Sequence, residues 1–573
     1  MKPYFFIVSL YCFCFLITSC ESKKTNDEDI LVDEAIVDVK DTLLIAWQAT
    51  LSNATDEIRF FIENRIPNER YFLLDRELFS SVLIPRHYIN HDFTPIWFDE
   101  NTLKLDRVNE MKAYIEDLKY HGLTPEDYHI EEIRSLINTI QKGEYNSKDI
   151  ANLDIFLSDA FFIIASQLYN GKVDPEVIQA EWGIQRDRPE LMLDNKLSNM
   201  MSDSLSVESF MEFFYPNGMG YKSMVQKVKY LSGLDDSEKL LAIPYDSLRS
   251  DYAINEVYRD DIIERLKYLG YSSARMDTNT VSLSKNIAEF QADHGLNTDG
   301  KLGKNTYDAL NQSVNEKLKK LYVNMERLRW LPISPSDTLV SINIADFTLV
   351  YRNGADTLLK SRTVVGRDFR QTPVFESKIS YLVFAPTWTI PQTILRNDVL
   401  PKVAKDSNYL RQHSMVVLDR SGNRVSSSSI DWKKALKGNF PFMIRQDPGP
   451  ENPLGKVKFM FPNKYSVYVH DTPSKSLFAR DERTFSSGCI RMDAPRDLAV
   501  LLLNDSTRWN RDAVTTFMNS NKETTVVLKK PVRVSIYYLT SWADASKKVH
   551  FRKDIYNRDK GVYKALQTQA RRR

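Results

Sequence analysis

The residue types best suited to covalent chemistry lie close together near the end of the sequence. His470 ends the alternating run Tyr-Ser-Val-Tyr-Val-His, and nineteen residues later Cys489 lies in the run Ser-Ser-Gly-Cys-Ile-Arg. An imidazole beside a thiol can accept its proton and produce a nucleophile. Because Gly488 has no side chain, backbone amides there and at Cys489 can approach a substrate and stabilise an oxyanion, which contributes roughly 3–4 kcal/mol in other acyl-transfer enzymes. This spacing indicates acyl transfer by a cysteine.

Two neighbours of this pair could assist it. Tyr468 shares a strand face with His470, and Arg491 could bind a carboxylate or hold the loop through its planar fork. Taken singly, a cysteine is most often a small buried hydrophobe, and a histidine a core residue. Their occurrence together with the glycine loop favours a reactive pair. A zinc site needs four ligands, and one cysteine and one histidine would supply only two of them. The sequence therefore predicts no metal and no cofactor.

The cysteine content sharpens this interpretation. The four cysteines are Cys12, Cys14, Cys20 and Cys489. Residues 1–20 read as a signal peptide whose last four residues, Ile-Thr-Ser-Cys, resemble the bacterial lipobox, so we expect lipidation of Cys20 and a periplasmic protein held at the inner or outer membrane. The alternatives are an ordinary signal peptide or an uncleaved anchor. Cys489 alone would then remain, and it could form no disulfide within the chain.

The charge balance excludes one class of partner. The 573 residues carry 77 lysines and arginines against 76 acidic residues, so the chain has no electrostatic footprint for nucleic acid. Hydrophobic residues make up 42%, which is enough for several packed cores. The composition therefore predicts a multidomain globular protein.

The segments around the reactive pair differ in their periodicity. Residues 336–557 contain alternating runs separated by turn residues, and they predict a mainly β catalytic domain. Residues 42–251 show the apolar spacing of helices and predict a helical scaffold, after a charged tether at 21–41. Residues 252–311 predict a compact helical unit, and 312–335 a connector helix that ends at a proline. Residues 558–573 predict a basic tail.

The compact helical unit carries recognisable landmarks. They are Leu269-Gly270-Tyr271, Phe290-Gln291, His294-Gly295-Leu296, Asp299-Gly300, Gly303 and Thr306. With these residues the unit resembles the small three-helix peptidoglycan-binding module. The resemblance implies contact with glycan or stem peptide, and a packing domain without glycan contact stays the alternative.

The reactive segment carries a second and sharper resemblance. His470, a spacer and then Ser-Ser-Gly-Cys-Ile-Arg resemble the signature of the L,D-transpeptidase catalytic domain, the YkuD type. Many members have histidine where this sequence has Ser487, and the serine variant resembles the large Gram-negative subgroup. Further matches to that subgroup are Asn324–Trp330, Val365–Arg367, Thr372–Phe375, Pro386–Pro391 and Gly449–Gly455, with Phe93–Trp97, Gly122–Pro125 and Tyr128–His129 in the scaffold.

This resemblance implies a fold. We expect a multidomain α+β chain with a helical N-terminal scaffold, a small three-helix peptidoglycan-binding domain and a mainly β YkuD-like catalytic domain. Residues 392–440 would form a capping insertion over the active site, and such a lid excludes water. A surface subdomain without that role is the alternative.

The resemblance also implies a reaction and its residues. Cys489 would attack the third stem residue, a meso-diaminopimelate, of a tetrapeptide donor; D-Ala would leave, and the amine of a neighbouring stem would resolve the thioester into a 3→3 cross-link. His470 would act as general base and acid, with an oxyanion hole at the Gly488 and Cys489 amides. Tyr468, Trp388, Ser487 and Arg491 would contact substrate or support the site. Either a backbone carbonyl or Ser486 could orient His470.

Several readings of function remain beside this one. Water in place of the amine would make an L,D-carboxypeptidase, and loss of activity would leave a wall-binding lipoprotein. A papain-type protease would place its histidine after the cysteine, which the order of His470 and Cys489 contradicts. The partners expected are peptidoglycan stem peptides, a membrane through the N-terminal lipid, and other wall-synthesis proteins. Carbapenems should acylate Cys489.

Overall fold

The computed structural model describes residues 27–65, 69–185, 190–216, 220–234, 242–245, 258–271, 280–334, 336–406, 408–438 and 440–568. The predicted signal peptide, Cys20 and the first residues of the tether lie outside these ranges. Within them, no helix has both the length and the apolar character needed to cross a bilayer.

The N-terminal region is helical, as predicted. Its elements are helices α1 (Asp27–Glu63), α2 (Leu83–Asn90), α3 (Asp106–Asp117), α4 (Ile130–Gln141), α5 (Ser147–Asn170), α6 (Leu193–Ser202), α7 (Val207–Met211) and α8 (Tyr221–Ser232), and strands β1 (Tyr71–Leu73), β2 (Arg76–Leu78) and β3 (Trp182–Gly183). α5 forms the core because it is apolar on nearly every side and buried along most of its length. Asn146 and Asp149 begin it with a capping box. The predicted tether differs, since residues 27–41 belong to α1.

The peptidoglycan-binding-like unit has three helices. They are α9 (Arg259–Tyr268), α10 (Thr280–His294) and α11 (Lys304–Leu310). Apolar side chains from all three, including Ile262, Phe290 and Leu310, form a separate core. The Gln291 side chain accepts the Gly300 amide at 2.9 Å, which fixes the turn before α11, and Gly300 has a left-handed φ of 68° there.

The predicted connector is helix α12 (Val314–Trp330), and much of it is buried rather than solvent-exposed. The Arg329 and Glu326 side chains are fully buried and form an ion pair at 2.7 Å. Arg329 also donates to the His121 carbonyl and the Tyr221 hydroxyl of the scaffold, each at 2.7 Å. These contacts make α12 part of the interior that joins the scaffold to the rest of the chain.

The C-terminal region is mainly β, as predicted. Its strands are β4 (Thr338–Asn343), β5 (Thr348–Asn353), β6 (Asp356–Gly366), β7 (Val374–Phe384), β8 (Trp388–Thr389), β9 (Met415–Leu418), β10 (Arg424–Val425), β11 (Met443–Gln446), β12 (Val457–Met460), β13 (Val469–His470), β14 (Thr484–Ser486), β15 (Ile490–Met492), β16 (Thr524–Tyr537), β17 (Ser541–Ala543) and β18 (Val549–Phe551). Its helices are α13 (Gln392–Ile394), α14 (Leu400–Lys405), α15 (Tyr409–Gln412), α16 (Trp432–Lys437), α17 (Pro495–Leu503), α18 (Arg511–Met518) and α19 (Asp559–Leu566).

Eight of these strands close a barrel. The order is β12-β13-β15-β6-β5-β4-β16-β7, and β7 pairs again with β12. The pairs β13–β15 and β16–β4 are parallel, whereas the other neighbours around the ring are antiparallel. The scaffold strand β3 adds to the edge of β7, so the scaffold and the barrel share one sheet.

A small subdomain interrupts the barrel between β7 and β12. Its sheet has the order β10-β9-β11-β8, and its helices α13 to α16 cover a separate core that includes Leu395 and Ile444. We call residues 388–446 the cap; the predicted insertion, 392–440, lies inside it.

The predicted basic tail differs from the structure. Residues 559–566 form α19, whose Val562 and Leu566 side chains are buried. Asp559 forms an ion pair with Arg327 of α12 at 2.5 Å. The helix therefore belongs to the folded body.

Candidate active site

His470 lies on β13 and Arg491 on the neighbouring parallel strand β15, and Tyr468 and Cys489 immediately precede these two strands. The register places Val469 opposite Ile490, and both of these side chains are buried in the barrel core. Because side chains alternate along a strand, the flanking residues project to the other face. That face carries Tyr468, His470, Cys489 and Arg491.

The Cys489 thiol is held between two residues of the preceding segment. Its Sγ lies 3.8 Å from the Ser466 carbonyl oxygen, and Ser466 has an unusual left-handed φ of 58°. The Tyr468 hydroxyl and the thiol also hydrogen-bond with each other. Burial raises the pKa of Cys489, although the hydrogen bond with Tyr468 opposes this. The resting form is therefore a neutral thiol that needs a base.

His470 is oriented and kept neutral by its surroundings. Its ring is buried, and Nδ1 lies 2.5 Å from the Asp471 carbonyl oxygen. Since a carbonyl only accepts, Nδ1 donates, and Nε2 keeps its lone pair. Burial, followed by the charge of Arg491, lowers the pKa of His470 to about 3. The imidazole can therefore accept a proton at neutral pH.

The carbonyl that orients His470 is itself anchored. The Asp471 carboxylate accepts the Lys456 amide at 2.8 Å and pairs with the Lys475 ammonium at 2.8 Å. Sequence reasoning left a backbone carbonyl and Ser486 as alternatives for orienting His470. In the structure a backbone carbonyl is the partner, because Ser486 bonds elsewhere.

Ser486 braces the loop that carries the nucleophile. Its hydroxyl donates to the Cys489 carbonyl at 2.6 Å and accepts the Gly488 amide at 3.1 Å, while Thr372 donates to the Gly488 carbonyl at 2.9 Å. Gly488 has a φ of 112°, which only glycine adopts without strain. The predicted oxyanion hole differs here, because the Gly488 amide is engaged. Within the described chain, the Cys489 amide has no acceptor and remains available.

Ser487 links the loop to the cap. Its exposed hydroxyl accepts a hydrogen bond from Arg370 at 3.0 Å, and Arg370 forms an ion pair with Asp398 of the cap at 3.4 Å. Sequence reasoning missed Arg370. The available signal was its place between the two quoted matches Val365–Arg367 and Thr372–Phe375.

Arg491 brings an uncompensated cation to the site. Its Nε is buried without a hydrogen-bond partner, and no carboxylate of the described residues forms an ion pair with it. Burial lowers the pKa of Arg491; the nearby Cys489 opposes this, and the second cation Arg367 adds to it. The site is therefore electropositive beside the thiol, which favours a thiolate, an oxyanion or a bound carboxylate.

Trp388 occupies a different environment from the other predicted residues. It pairs with Gln446 across β8 and β11, and its ring packs on the core of the cap. The structure places it in the cap. Among the described residues, no group of three or more histidine, cysteine or acidic side chains could hold a metal ion.

Comparison with known families assigns three parts of the chain. Residues 83–227 match a model described as "Scaffold domain", residues 260–310 one described as "Putative peptidoglycan binding domain", and residues 337–528 one described as "L,D-transpeptidase catalytic domain". The chain is also similar to a Haemophilus influenzae protein named "Putative L,D-transpeptidase", with 36% identity over 244 residues. That match covers 43% of this chain and 49% of the relative, so the chain spans about half of the relative's length.

Proposed function

Because residues 337–528 match the model of the L,D-transpeptidase catalytic domain, we propose that this protein forms 3→3 cross-links between peptidoglycan stem peptides. The observation that carries the proposal is the shared face, with the Cys489 thiol beside Tyr468 and with a neutral His470 two residues beyond Tyr468.

The first half of the reaction acylates the cysteine. The Cys489 thiol loses its proton to His470 Nε2 as Sγ attacks the carbonyl of diaminopimelate in the donor tetrapeptide. The Cys489 amide stabilises the oxyanion. The tetrahedral intermediate collapses, His470 returns the proton to the departing amine, and D-Ala leaves with a thioester behind it.

The second half releases the enzyme. The side-chain amine of diaminopimelate on a neighbouring stem attacks the thioester and loses a proton to His470. An amide forms, and the proton returns to the cysteine sulfur. A cap that covers the site would exclude water and favour the amine, and Arg370 supports this role because it connects Asp398 of the cap to Ser487 of the Cys489 loop.

The location of the substrate suggests the location of the protein. Peptidoglycan lies outside the cytoplasm, and the lipobox-like residues before Cys20 support a lipid anchor on that cysteine. We therefore propose a periplasmic lipoprotein.

The test is product analysis by mass spectrometry. The protein lacking residues 1–20 is incubated with disaccharide-tetrapeptide that contains meso-diaminopimelate. We expect a 3→3 dimer with loss of D-Ala, no product from Cys489→Ala or His470→Gln, and normal product from His413→Gln, an exposed histidine of the cap. Tripeptide without dimer would replace the proposal with a carboxypeptidase, and unchanged substrate with an unreactive Cys489 would favour the wall-binding alternative.

A further inference from the structure

A cavity of about 600 Å³ lies between the peptidoglycan-binding module and the barrel. One wall is formed by residues 294–298 and by α11, and the other by β5, β6 and the segment 478–483 that precedes β14. Its volume falls within the usual range of small-molecule sites, roughly 300–1,000 Å³. None of the Cys489-face residues lines it, so this interdomain cavity is distinct from the active site.

The lining of the interdomain cavity is electropositive. Seven cationic side chains line it against four carboxylates. Each carboxylate already has a partner: Asp308 bonds Lys304 at 2.6 Å, Asp346 bonds Arg552 at 2.6 Å, Asp481 accepts from Asn305 at 3.3 Å and Glu482 bonds Lys553 at 2.8 Å. Because Arg362 pairs with Asp493 outside the cavity at 3.1 Å, the excess positive charge of the lining lies on Lys320, Lys360, Arg480 and Arg483.

Arg483 lines the cavity without a direct ion-pair partner among the described residues. Its guanidinium donates to the carbonyls of Thr363 at 3.0 Å, Arg480 at 2.6 Å and Phe347 at 3.3 Å, and no carboxylate of the described chain forms an ion pair with it. Burial lowers its pKa to about 10, although the nearby Asp346 carboxylate opposes this shift. At the rim, the exposed Lys360 also has no ion-pair partner among the described residues.

Apolar surface accompanies these charges. Phe347, Phe478 and Phe551 line the cavity, and the Arg483 guanidinium carbon lies 5.1 Å from the Phe347 ring centroid. Aromatic walls with a few fixed cations suit a peptide that carries carboxylates.

The two walls are held in a fixed relation. Arg552 of the barrel donates to the Asp293 carbonyl of the module at 2.7 Å. A Cβ at Gly295 would lie 2.4 Å from Arg552 Nε, so the module turn packs directly on this side chain. Lys548 adds an ion pair with Glu289 of α10 at 2.8 Å. A preformed cavity binds without a cost of domain rearrangement.

The interdomain cavity is joined to the active site by a short stretch of chain. The Arg483 carbonyl accepts the Val365 amide of β6 at 2.9 Å. The next residues form β14, which pairs with β6 and leads directly to the Cys489 loop. The cavity wall and the Cys489 loop are therefore consecutive parts of one chain segment.

We propose that the interdomain cavity binds a carboxylate-bearing stem peptide of peptidoglycan. This stem belongs to a glycan strand other than the one whose stem acylates Cys489, and Arg483 and Lys360 pair with its carboxylates. The proposal rests on the function proposed above and names a second contact with the same substrate class. It gives the module and the barrel a joint binding role.

The test is protection of lysines from acetylation. The full chain in detergent, with Cys489→Ala to prevent turnover, is labelled with acetic anhydride with and without disaccharide-tetrapeptide. We expect protection of Lys360 and of Lys553, another cavity lysine, and none of Lys378, an exposed lysine on β7. In Lys360→Glu, half-protection of Lys553 should need about fivefold more ligand, since an exposed charge pair contributes at most about 1 kcal/mol. The matched Lys378→Glu should behave as the parent.

Two further arms identify the ligand chemistry. The same peptide with its carboxyl groups amidated, and the disaccharide without peptide, should not protect Lys360. Protection by either would overturn the carboxylate proposal. Absence of protection by the intact ligand would also overturn it, and dimer formation by the unmodified enzyme would show that the transpeptidase proposal stands. Protection without any product from the unmodified enzyme would support the cavity and contradict the transpeptidase proposal.

Discussion

Helix α12 and the Cys489 face both bury arginines, but the arginines of α12 have carboxylate partners and the arginine of the Cys489 face does not. In α12, Arg329 pairs with Glu326 at 2.7 Å, and Arg327 pairs with Asp559 at 2.5 Å. On the active-site face, Arg491 has no carboxylate partner among the described residues, and its Nε is unsatisfied. A compensated buried charge serves the fold, whereas an uncompensated one attracts an anion from outside. The contrast predicts where a substitution damages folding and where it damages catalysis.

The largest effect should follow from breaking the α12 pair. Arg329→Met leaves the fully buried Glu326 carboxylate without its partner, which should lower the free energy of unfolding by about 3–5 kcal/mol. Urea unfolding of the purified protein measures this. The double variant Glu326→Gln/Arg329→Met should recover part of the loss, because it removes the unpaired charge. Equal stability of Arg329→Met and the parent would contradict the structural role.

Removal of the unpaired Arg491 should lower activity and leave stability nearly unchanged. Arg491→Met should lower kcat/KM about 100-fold, or about 2.7 kcal/mol in transition-state stabilisation, because the site loses the cation beside Cys489. The melting temperature should stay within a few degrees of the parent. Arg511→Met, which removes an exposed arginine on α18, is the matched control and should retain activity. A stability loss as large as that of Arg329→Met would remove the distinction between the two regions.

A buried histidine of the scaffold should make the protein acid-labile. His87 has no hydrogen-bond partner on either ring nitrogen, and burial lowers its pKa to about 3. The unfolded chain binds a proton below about pH 6.5, whereas the folded chain does not until about pH 3, so stability falls as the pH drops through this window. Relative to pH 7, the parent should lose about 2 kcal/mol at pH 5 through this residue. Urea unfolding of His87→Phe at pH 7 and pH 5 should lack this loss of about 2 kcal/mol. The same difference between the two pH values in the parent and in His87→Phe would contradict the expectation.

The smallest effect concerns the pH dependence of acylation. Because the pKa of His470 is about 3, the base stays neutral from pH 7 to pH 5, and the thiol stays protonated. The rate of Cys489 acylation by a carbapenem, followed by intact mass, should change less than about twofold over this range. In Arg491→Met, the fall of the acylation rate at acid pH should begin at a higher pH, since the charge of Arg491 contributes to the low pKa of His470. An acid limb near pH 6.5 in the parent would show that His470 is not shifted.

The sequence predicted the parts of the site that are local in the chain. His470 and Cys489 belong to one compact motif, and the alternation before His470 placed Tyr468 on its face. Arg370 was missed because only the pairing of distant strands brings its segment to the Cys489 loop. The choice between Ser486 and the Asp471 carbonyl also depended on loop geometry, since both were within reach in the sequence.

The fold shows the same limit. Periodicity predicted the helical and β regions and the three-helix module, because each depends on local patterns. It did not predict the burial of α12, whose arginines and lysines look like a solvated connector. The groups that stabilise these buried charges come from distant segments, such as the His121 carbonyl and Asp559. Burial of α19 was missed for the same reason, because its apolar side chains are few and its surroundings are cationic.

The parallel pairing of β16 with β4 sets an order of events during folding. β4 begins the barrel and β16 completes it, yet almost the entire catalytic region separates them. Such distant pairing is slow, and chains begin to fold from the N-terminus during synthesis. The scaffold can therefore fold before the last strand of the barrel, β16, has been synthesised. A chain that stopped after β15 would contain both His470 and Cys489 but no closed barrel to align them, so the reactive thiol is assembled only when synthesis is nearly finished.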